Sequence, residues 1–305
     1  MKKFILKSFL LLVGVYFLPV IFFMTICPQY TTGYGGSVPD KIKRLESLAS
    51  PKIIVCGNSN VVFGIQSKIL EDSFDMPVVN LGYHAGIGNA LNERLSIFNI
   101  KKGDIVVLSQ LTYNDNDGID DPELILLTVE NRLHLWKIFR LKDYKRLVLP
   151  FIRYTYKCFL RFLRHEDREP KLPNAWYRSS FNEYGDMAFK RTEPNKDIKL
   201  NDFHPGVGQI CINRINSFSD YCKSKGATLV IAAPPFCDKC STKEEITMFW
   251  NELKTNAKCP VISDCDDYFY DEKYFYDSNA HLTDEGARLR TEQLTKDLKK
   301  FLENR

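Results

Sequence analysis

The sequence carries little net charge. Its 42 Lys and Arg stand against 38 Asp and Glu, a formal balance of +4 over 305 residues, and so slight an excess argues against a general nucleic-acid binder. The balance hides two unlike parts. From Leu124 to Arg164 ten basic residues face only Glu130 and Asp143, which leaves that stretch at +8 and the remainder near −4, so the positive charge forms one localised surface. Internal repeats and low-complexity stretches are absent as well, which excludes a solenoid or a modular array. With 44% hydrophobic residues the chain can bury one sizeable core, and two full domains do not fit.

Charge is missing altogether from Ser8 to Cys27. Twenty such residues at about 1.5 Å each make a helix of roughly 30 Å, the thickness of a bilayer core. The end of the stretch, Phe22-Phe23-Met24-Thr25-Ile26-Cys27, lacks the small residues that precede a cleavage site or a lipidated cysteine, so an uncleaved anchor over residues 1–27 is expected. Lys2, Lys3 and Lys7 precede the span, whereas Pro28 to Asp40 contains no Lys or Arg. The expected topology is single-pass, with the N-terminus cytoplasmic and the rest exported. Gly33, Gly35, Gly36 and Pro39 then suggest a flexible neck at 28–40 before a domain at 41–305.

Nine cysteines are many for an exported chain, and the odd count leaves at least one unpaired. Cys27 and Cys158 read as free. Cys237-x-x-Cys240 admits a redox or zinc reading, but two further zinc ligands at suitable spacing are lacking. Disulfides suit the compartment better. Strand edges favour Cys265 with Cys237 or Cys240, and Cys259 with Cys222, since bridged Cα atoms lie within about 7 Å.

Short apolar runs bounded by turn residues recur at Lys52–Cys56, Val78–Leu81, Asp104–Ser109, Thr228–Ala233 and Pro260–Ser263 and read as five strands. Helical periodicity fills the intervals at Asn89–Ile100 and Val207–Lys225, and a last amphipathic helix starts at Asp284. The alternation predicts an α/β domain with a five-stranded parallel sheet, helices on both faces and a ligand beyond the carboxyl ends of the strands. A long insertion at 120–205 interrupts it. The first half reads as helical with a break at Pro150, and its basic residues suit anionic lipid headgroups, an anionic polymer, or simply a solvated side of a helical pair. The second half, from Glu166, is rich in Pro, Asn, Asp and Gly and carries Trp176, Tyr177, Phe181 and Tyr184; it reads as a lid or as a solvated connection.

Chemistry-bearing residues gather at the predicted strand ends. The first strand runs into Cys56-Gly57-Asn58-Ser59-Asn60, the second into Asn80-Leu81-Gly82, the third into Thr112-Tyr113-Asn114. Before the last helix, Asp277 and His281 stand four positions apart. In this order the segments resemble the SGNH or GDSL hydrolase superfamily over roughly 52–291. Gly57-Asn58-Ser59 is similar to its first block, with Asn58 where many members carry aspartate; Gly82, Asn114 and His281 resemble the next three. The sequence departs from the pattern at two points: Ser278 stands where the acid usually lies, with Asp277 one residue further off, and Tyr113 intrudes before Asn114.

The resemblance implies a flavodoxin-like sheet, no cofactor or metal, and acyl transfer through a serine ester. Ser59 would be the nucleophile, His281 the base and Asp277 its orienting acid; the N–H groups of Ser59 and Gly82 and the Asn114 amide would face the oxyanion, and Asn58, Asn60 and His84 the substrate. The anchor, Gly64-Ile65, Pro234-Pro235 and Asn182-Glu183-Tyr184-Gly185-Asp186 resemble membrane-anchored members associated with acylation of cell-surface polymers. Expected partners are an acylated glycan, membrane lipid and a membrane-bound acyltransferase, with no nucleic acid. Two alternatives stand beside an enzyme: a non-catalytic polymer-binding subunit of such a system, and a thiol-disulfide protein built on Cys237 and Cys240.

Overall fold

Consecutive apolar residues at Ile53–Val55, Val78–Val79 and Ile105–Leu108 leave no polar face to turn to water, so these segments must be covered on both sides. The computed structural model describes residues 2–25, 32–115, 119–129, 132–165 and 174–304. In chain order its elements are helix α1 (Lys2–Thr25), α2 (Ser37–Ser47), strand β1 (Ile53–Gly57), α3 (Ser59–Val62), α4 (Ser67–Phe74), β2 (Val78–Gly82), α5 (Asn89–Leu95), β3 (Ile105–Ser109), α6 (Pro122–Val129), α7 (Leu141–Leu163), α8 (Gln209–Ser224), β4 (Thr228–Ile231), β5 (Phe236–Cys237), α9 (Lys243–Asn256), β6 (Phe269–Tyr270), β7 (Phe275–Ser278), β8 (His281–Leu282) and α10 (Asp284–Glu303).

The main sheet is parallel and ordered β2-β1-β3-β4. Ile54, Cys56, Val79, Leu81, Val106 and Leu108 form one core with residues of α2, α5 and α8. The intervening residues Ile53, Val55, Val78, Ile105 and Val107 join Leu70 of α4 with Leu294 and Leu298 of α10 on the other face. Gly57 pairs with both Gly82 and Ser109, so three strands end level at the carboxyl edge. At the opposite edge Lys52 Nζ donates to Asp104 Oδ2 at 2.7 Å and to the Asn99 carbonyl at 2.7 Å, a buried ion pair whose further hydrogen bonds offset its desolvation.

Among the described residues the main sheet has four strands where five were expected. Pro260–Ser263 reaches the predicted edge beside β4 but makes one parallel bridge, Ile231 to Val261; proline has no N–H to extend the ladder, and the chain turns away at Asp264. Helix α7 runs unbroken through Pro150, because residues on both sides of the proline, Leu147 and Tyr154, are anchored in the core. The expected neck is packed from Thr32 onward, with Tyr34, Gly35 and Gly36 buried. The expected disulfides are not formed: Cys222, Cys237, Cys240, Cys259 and Cys265 are buried thiols. Cys27, Glu130 and residues 166–173 lie outside the described residues. So do part of the span expected over Ser8–Cys27 and several of its side chains, and among the described residues no helix is long and apolar enough to cross a membrane.

Candidate active site

Gly57 ends β1 where a side chain cannot fit, since a Cβ there would lie 2.0 Å from the Ser109 carbonyl oxygen and 2.7 Å from Val61 Cγ2. The chain turns at once into α3, of which Ser59 is the first residue. Asn58 shapes that turn. Its carbonyl accepts the N–H groups of Val61 and Val62 at 3.0 and 3.4 Å, and its Oδ1 accepts from Asn92 Nδ2 of α5 at 2.8 Å. Asn60 is turned inward: it is wholly buried, its Nδ2 donates to the Ser109 carbonyl at 3.3 Å and its own carbonyl accepts from Arg290 Nη1 at 2.6 Å. Both asparagines, expected at the substrate, hold the turn that presents the serine.

Phe63 follows Ser59 by one helical turn, and its N–H donates to the Ser59 carbonyl at 2.9 Å. The imidazole of His281 stacks on the Phe63 ring, with centroids 4.0 Å apart and planes 13° from parallel. Residues four apart share a helix face, so the stack brings the histidine to the face on which Ser59 stands. Sequence reading missed Phe63, although its spacing from Ser59 was a usable signal.

The acid arrives through a bulge. Phe275 pairs with Leu282 and Ser278 with His281, so the register advances three positions on β7 for one on β8, and Tyr276 and Asp277 are the extra residues. The Asp277 carboxylate meets His281, Oδ1 to Nδ1 at 2.6 Å, which leaves Nε2 for proton transfer. Ser278 instead accepts the Ala280 N–H at 3.4 Å within the tight turn. The Ser59 hydroxyl makes no hydrogen bond to His281 or to another described residue; such bonds often close only with substrate bound.

The expected oxyanion donors are arranged differently. Gly82 N–H donates to Asn80 Oδ1 at 2.8 Å, and a Cβ at Gly82 would stand 2.7 Å from Val62 N; the glycine lets β2 close on α3. Asn114 is exposed, with its carboxamide against Gly206, because Tyr113 is drawn to the 206–208 segment by backbone bonds at 3.1 and 2.8 Å. His84 stands close enough to His281 to feel its charge. Its Nδ1 accepts the Gly86 N–H at 3.0 Å, so the proton of the neutral ring sits on Nε2. Burial, then the proximity of His281, lowers its pKa, with Asp121 opposing, and the ring is held as a neutral donor.

No family model, curated protein or solved structure matches this chain.

Part of the insertion packs over α3. Met187 N–H donates to the Val62 carbonyl at 3.1 Å, and the Trp176 ring lies 6.1 Å from that of His84. Asp186 ties the insertion to the sheet, accepting from Asn80 Nδ2 at 2.8 Å and from the Ser67 hydroxyl and N–H at 2.6 and 2.8 Å. Beside it Lys41 is buried, donates to the Gly82 carbonyl at 2.7 Å and lines a cavity of about 240 Å³ with Arg178 and Phe181. Ser59 and His281 are not among the residues lining that cavity. Neither lysine nor aspartate was singled out by spacing alone.

Burial pulls the Lys41 pKa down to about 7, with Asp186 opposing. The unfolded chain then binds the extra proton between about pH 7 and the ordinary value of 10.5, so stability should rise with pH across that window and the full cost should apply below it. In Lys41→Met this rise, at most about 1.4 kcal/mol per pH unit, should vanish. Chemical denaturation of the purified chain at a series of pH values measures it, and parallel profiles for parent and variant would contradict it.

The Cys237 and Cys240 thiols meet each other, but burial raises both, Cys240 to about 12. A redox pair needs an accessible, low-pKa thiolate, so the thiol-disulfide reading loses its chemistry. Among the described residues no group of His, Cys, Asp and Glu is placed to hold a metal ion.

Proposed function

We propose that this chain is a membrane-anchored serine esterase or O-acyltransferase acting on acyl groups of an envelope or exported polysaccharide through an acyl-serine intermediate. The observation that carries the reading is the run from Asp277 through His281 to Phe63, which ends one helical turn from Ser59. Ser59 Oγ attacks the ester carbonyl carbon while its proton passes to His281 Nε2. The adduct then breaks its bond to the alcohol, which leaves with that proton, and Asp277 stabilises the imidazolium in between. Water or a sugar hydroxyl next attacks the acyl-serine, with His281 again as base, and releases the acid or a new ester.

Ser59 N–H and His84 Nε2–H are the donors proposed for the oxyanion, an interaction contributing about 3 kcal/mol per donor. Accordingly His84→Ala should lower turnover by about 10², while Asn114→Ala should stay within about tenfold of the parent. Steady-state ester hydrolysis separates the two, and the reverse ranking would restore Asn114 to the site.

A fluorophosphonate probe that labels the full chain but not Ser59→Ala tests the reading directly. Absence of labelling on folded protein, together with no turnover of any ester donor, would favour the polymer-binding accessory subunit; the unmade hydrogen bond between Ser59 and His281 is what keeps that alternative in play. The polymer, and a membrane-bound acyltransferase as partner, rest on the resemblance to SGNH hydrolases.

The proposed anchor is α1, whose 24 residues correspond to about 36 Å. Its support is the uncharged run from Ser8 and the outward exposure of Phe9, Leu11, Leu12, Val15 and Leu18. A periplasm-active enzyme fused after Arg305 should be active in cells. An expressed but inactive fusion would overturn the topology.

A further inference from the structure

Helix α7 buries one face and leaves a second apolar face uncovered. Leu147, Tyr154 and Cys158 are in the core. At about 100° per residue, Val148, Ile152, Tyr156, Phe159 and Leu163 fall on a separate stripe, about 135° around the helix from the buried one. That stripe is open, with Ile152 at 58% and Tyr156 at 62% exposure. Arg146, Arg153, Lys157 and Arg164 fall on a third side, next to the stripe. From Val148 onward the arrangement separates core, apolar and basic surfaces along one helix; exposed Lys145 stands at the start of the stripe, and Lys157 on the basic side is paired with Glu123 at 2.6 Å.

The stripe meets α1. The Phe22 ring stands 5.6 Å from that of Phe159 and 6.2 Å from that of Phe162, edge-on in both. The uncovered face of α7 is thus continuous with the apolar surface of α1, at the end of α1 nearest the domain.

We infer that α7 is a second membrane-contact surface, lying in the headgroup region of an anionic bilayer with its apolar stripe toward the acyl chains and its basic side among the phosphates. The inference rests on the reading of α1 as an anchor. Two features select lipid over a protein partner. The first is continuity with the proposed anchor. The second is charge: apolar and basic faces side by side fit a surface that is oily below and anionic above. The contact would fix the domain's orientation, and hence the height of Ser59 above the membrane.

Tryptophan placed along the stripe tests this in the full chain, reconstituted in phosphatidylcholine vesicles containing phosphatidylglycerol, some carrying brominated acyl chains. Ile152→Trp and Val148→Trp alter exposed positions. Both should show bromine quenching several-fold above that of the parent and of Met248→Trp, an exposed site on α9, and weaker quenching without phosphatidylglycerol. Phe9→Trp reports on α1 independently. Quenching at position 9 with none above the control at 148 and 152 would overturn the inference and leave the anchor standing, with the stripe assigned to a protein partner. Absence of quenching at all three would overturn both.

Discussion

Ser59→Ala and His281→Ala should each lower ester turnover by about 10³ or more, and the double variant should be hardly worse. In the proposed mechanism nucleophile and base act in one step, so removal of either disables the pair, and the second loss finds little left to remove. Ser59→Ala is the cleaner variant, because the hydroxyl has no hydrogen bond to lose among the described residues. His281→Ala also removes the stack on Phe63, so His281→Gln, which keeps a planar group, should be measured beside it. Asp277→Asn should cost about 10² to 10⁴, since the carboxylate orients the ring and stabilises its cation without joining the bond changes. Additive losses in the double variant would show that the two residues do not share a step. A harmless Asp277→Asn would reduce the site to a Ser-His dyad despite the 2.6 Å contact.

Arg290→Met should destabilise the chain by about 3 kcal/mol or more. This guanidinium is fully buried and has no carboxylate partner among the described residues. It donates instead to the Asn60 carbonyl at 2.6 Å, the Ser109 hydroxyl at 2.7 Å and the Ala233 carbonyl at 3.4 Å. It thereby joins α3, the end of β3 and the segment after β4. Two effects oppose. Burial alone penalises the charge, pulling its pKa down to about 10, and methionine relieves that penalty. Against this, each charge-assisted hydrogen bond contributes about 1.5–3 kcal/mol, and its loss strands a buried oxygen. The short bonds outweigh the relief. Arg290→Lys should not rescue, because one ammonium cannot reproduce the fork. Denaturation of the purified chain reads the stability, and the rate of fluorophosphonate labelling reads the Ser59 turn. Parental values of both in Arg290→Met would remove this strut from the account of the site.

The two expectations differ in how far sequence could reach them. Ser59 and His281 were legible as candidates because a serine after a first strand and a histidine before a last helix are matters of chain order, and order is written in the sequence. Arg290 was not, because nothing in an amphipathic helix marks which arginine faces inward. Phe63 lies between these cases: its spacing from Ser59 is readable, whereas its partner comes from a hairpin more than two hundred residues away.

The sequence by itself determined the α/β alternation, the parallel direction of the strands and the edge at which Ser59 and His281 would stand, because periodicity and turn residues are local properties. It also set the uncharged run after Lys7 and the basic stretch around α7. Tertiary structure alone decided which polar groups were already engaged. Asn80 takes the Gly82 N–H, and Asn58 and Asn60 face the frame, while Asn114 is carried outward beside Gly206. It also decided that Asp277 reaches His281 through a bulge, that the fifth strand shrinks to one bridge and that α7 passes through Pro150. The physical reason is common to all of these: a hydrogen-bonding group takes the nearest well-aligned partner in space, and packing on both sides outweighs one lost helical bond, neither of which is visible along the chain.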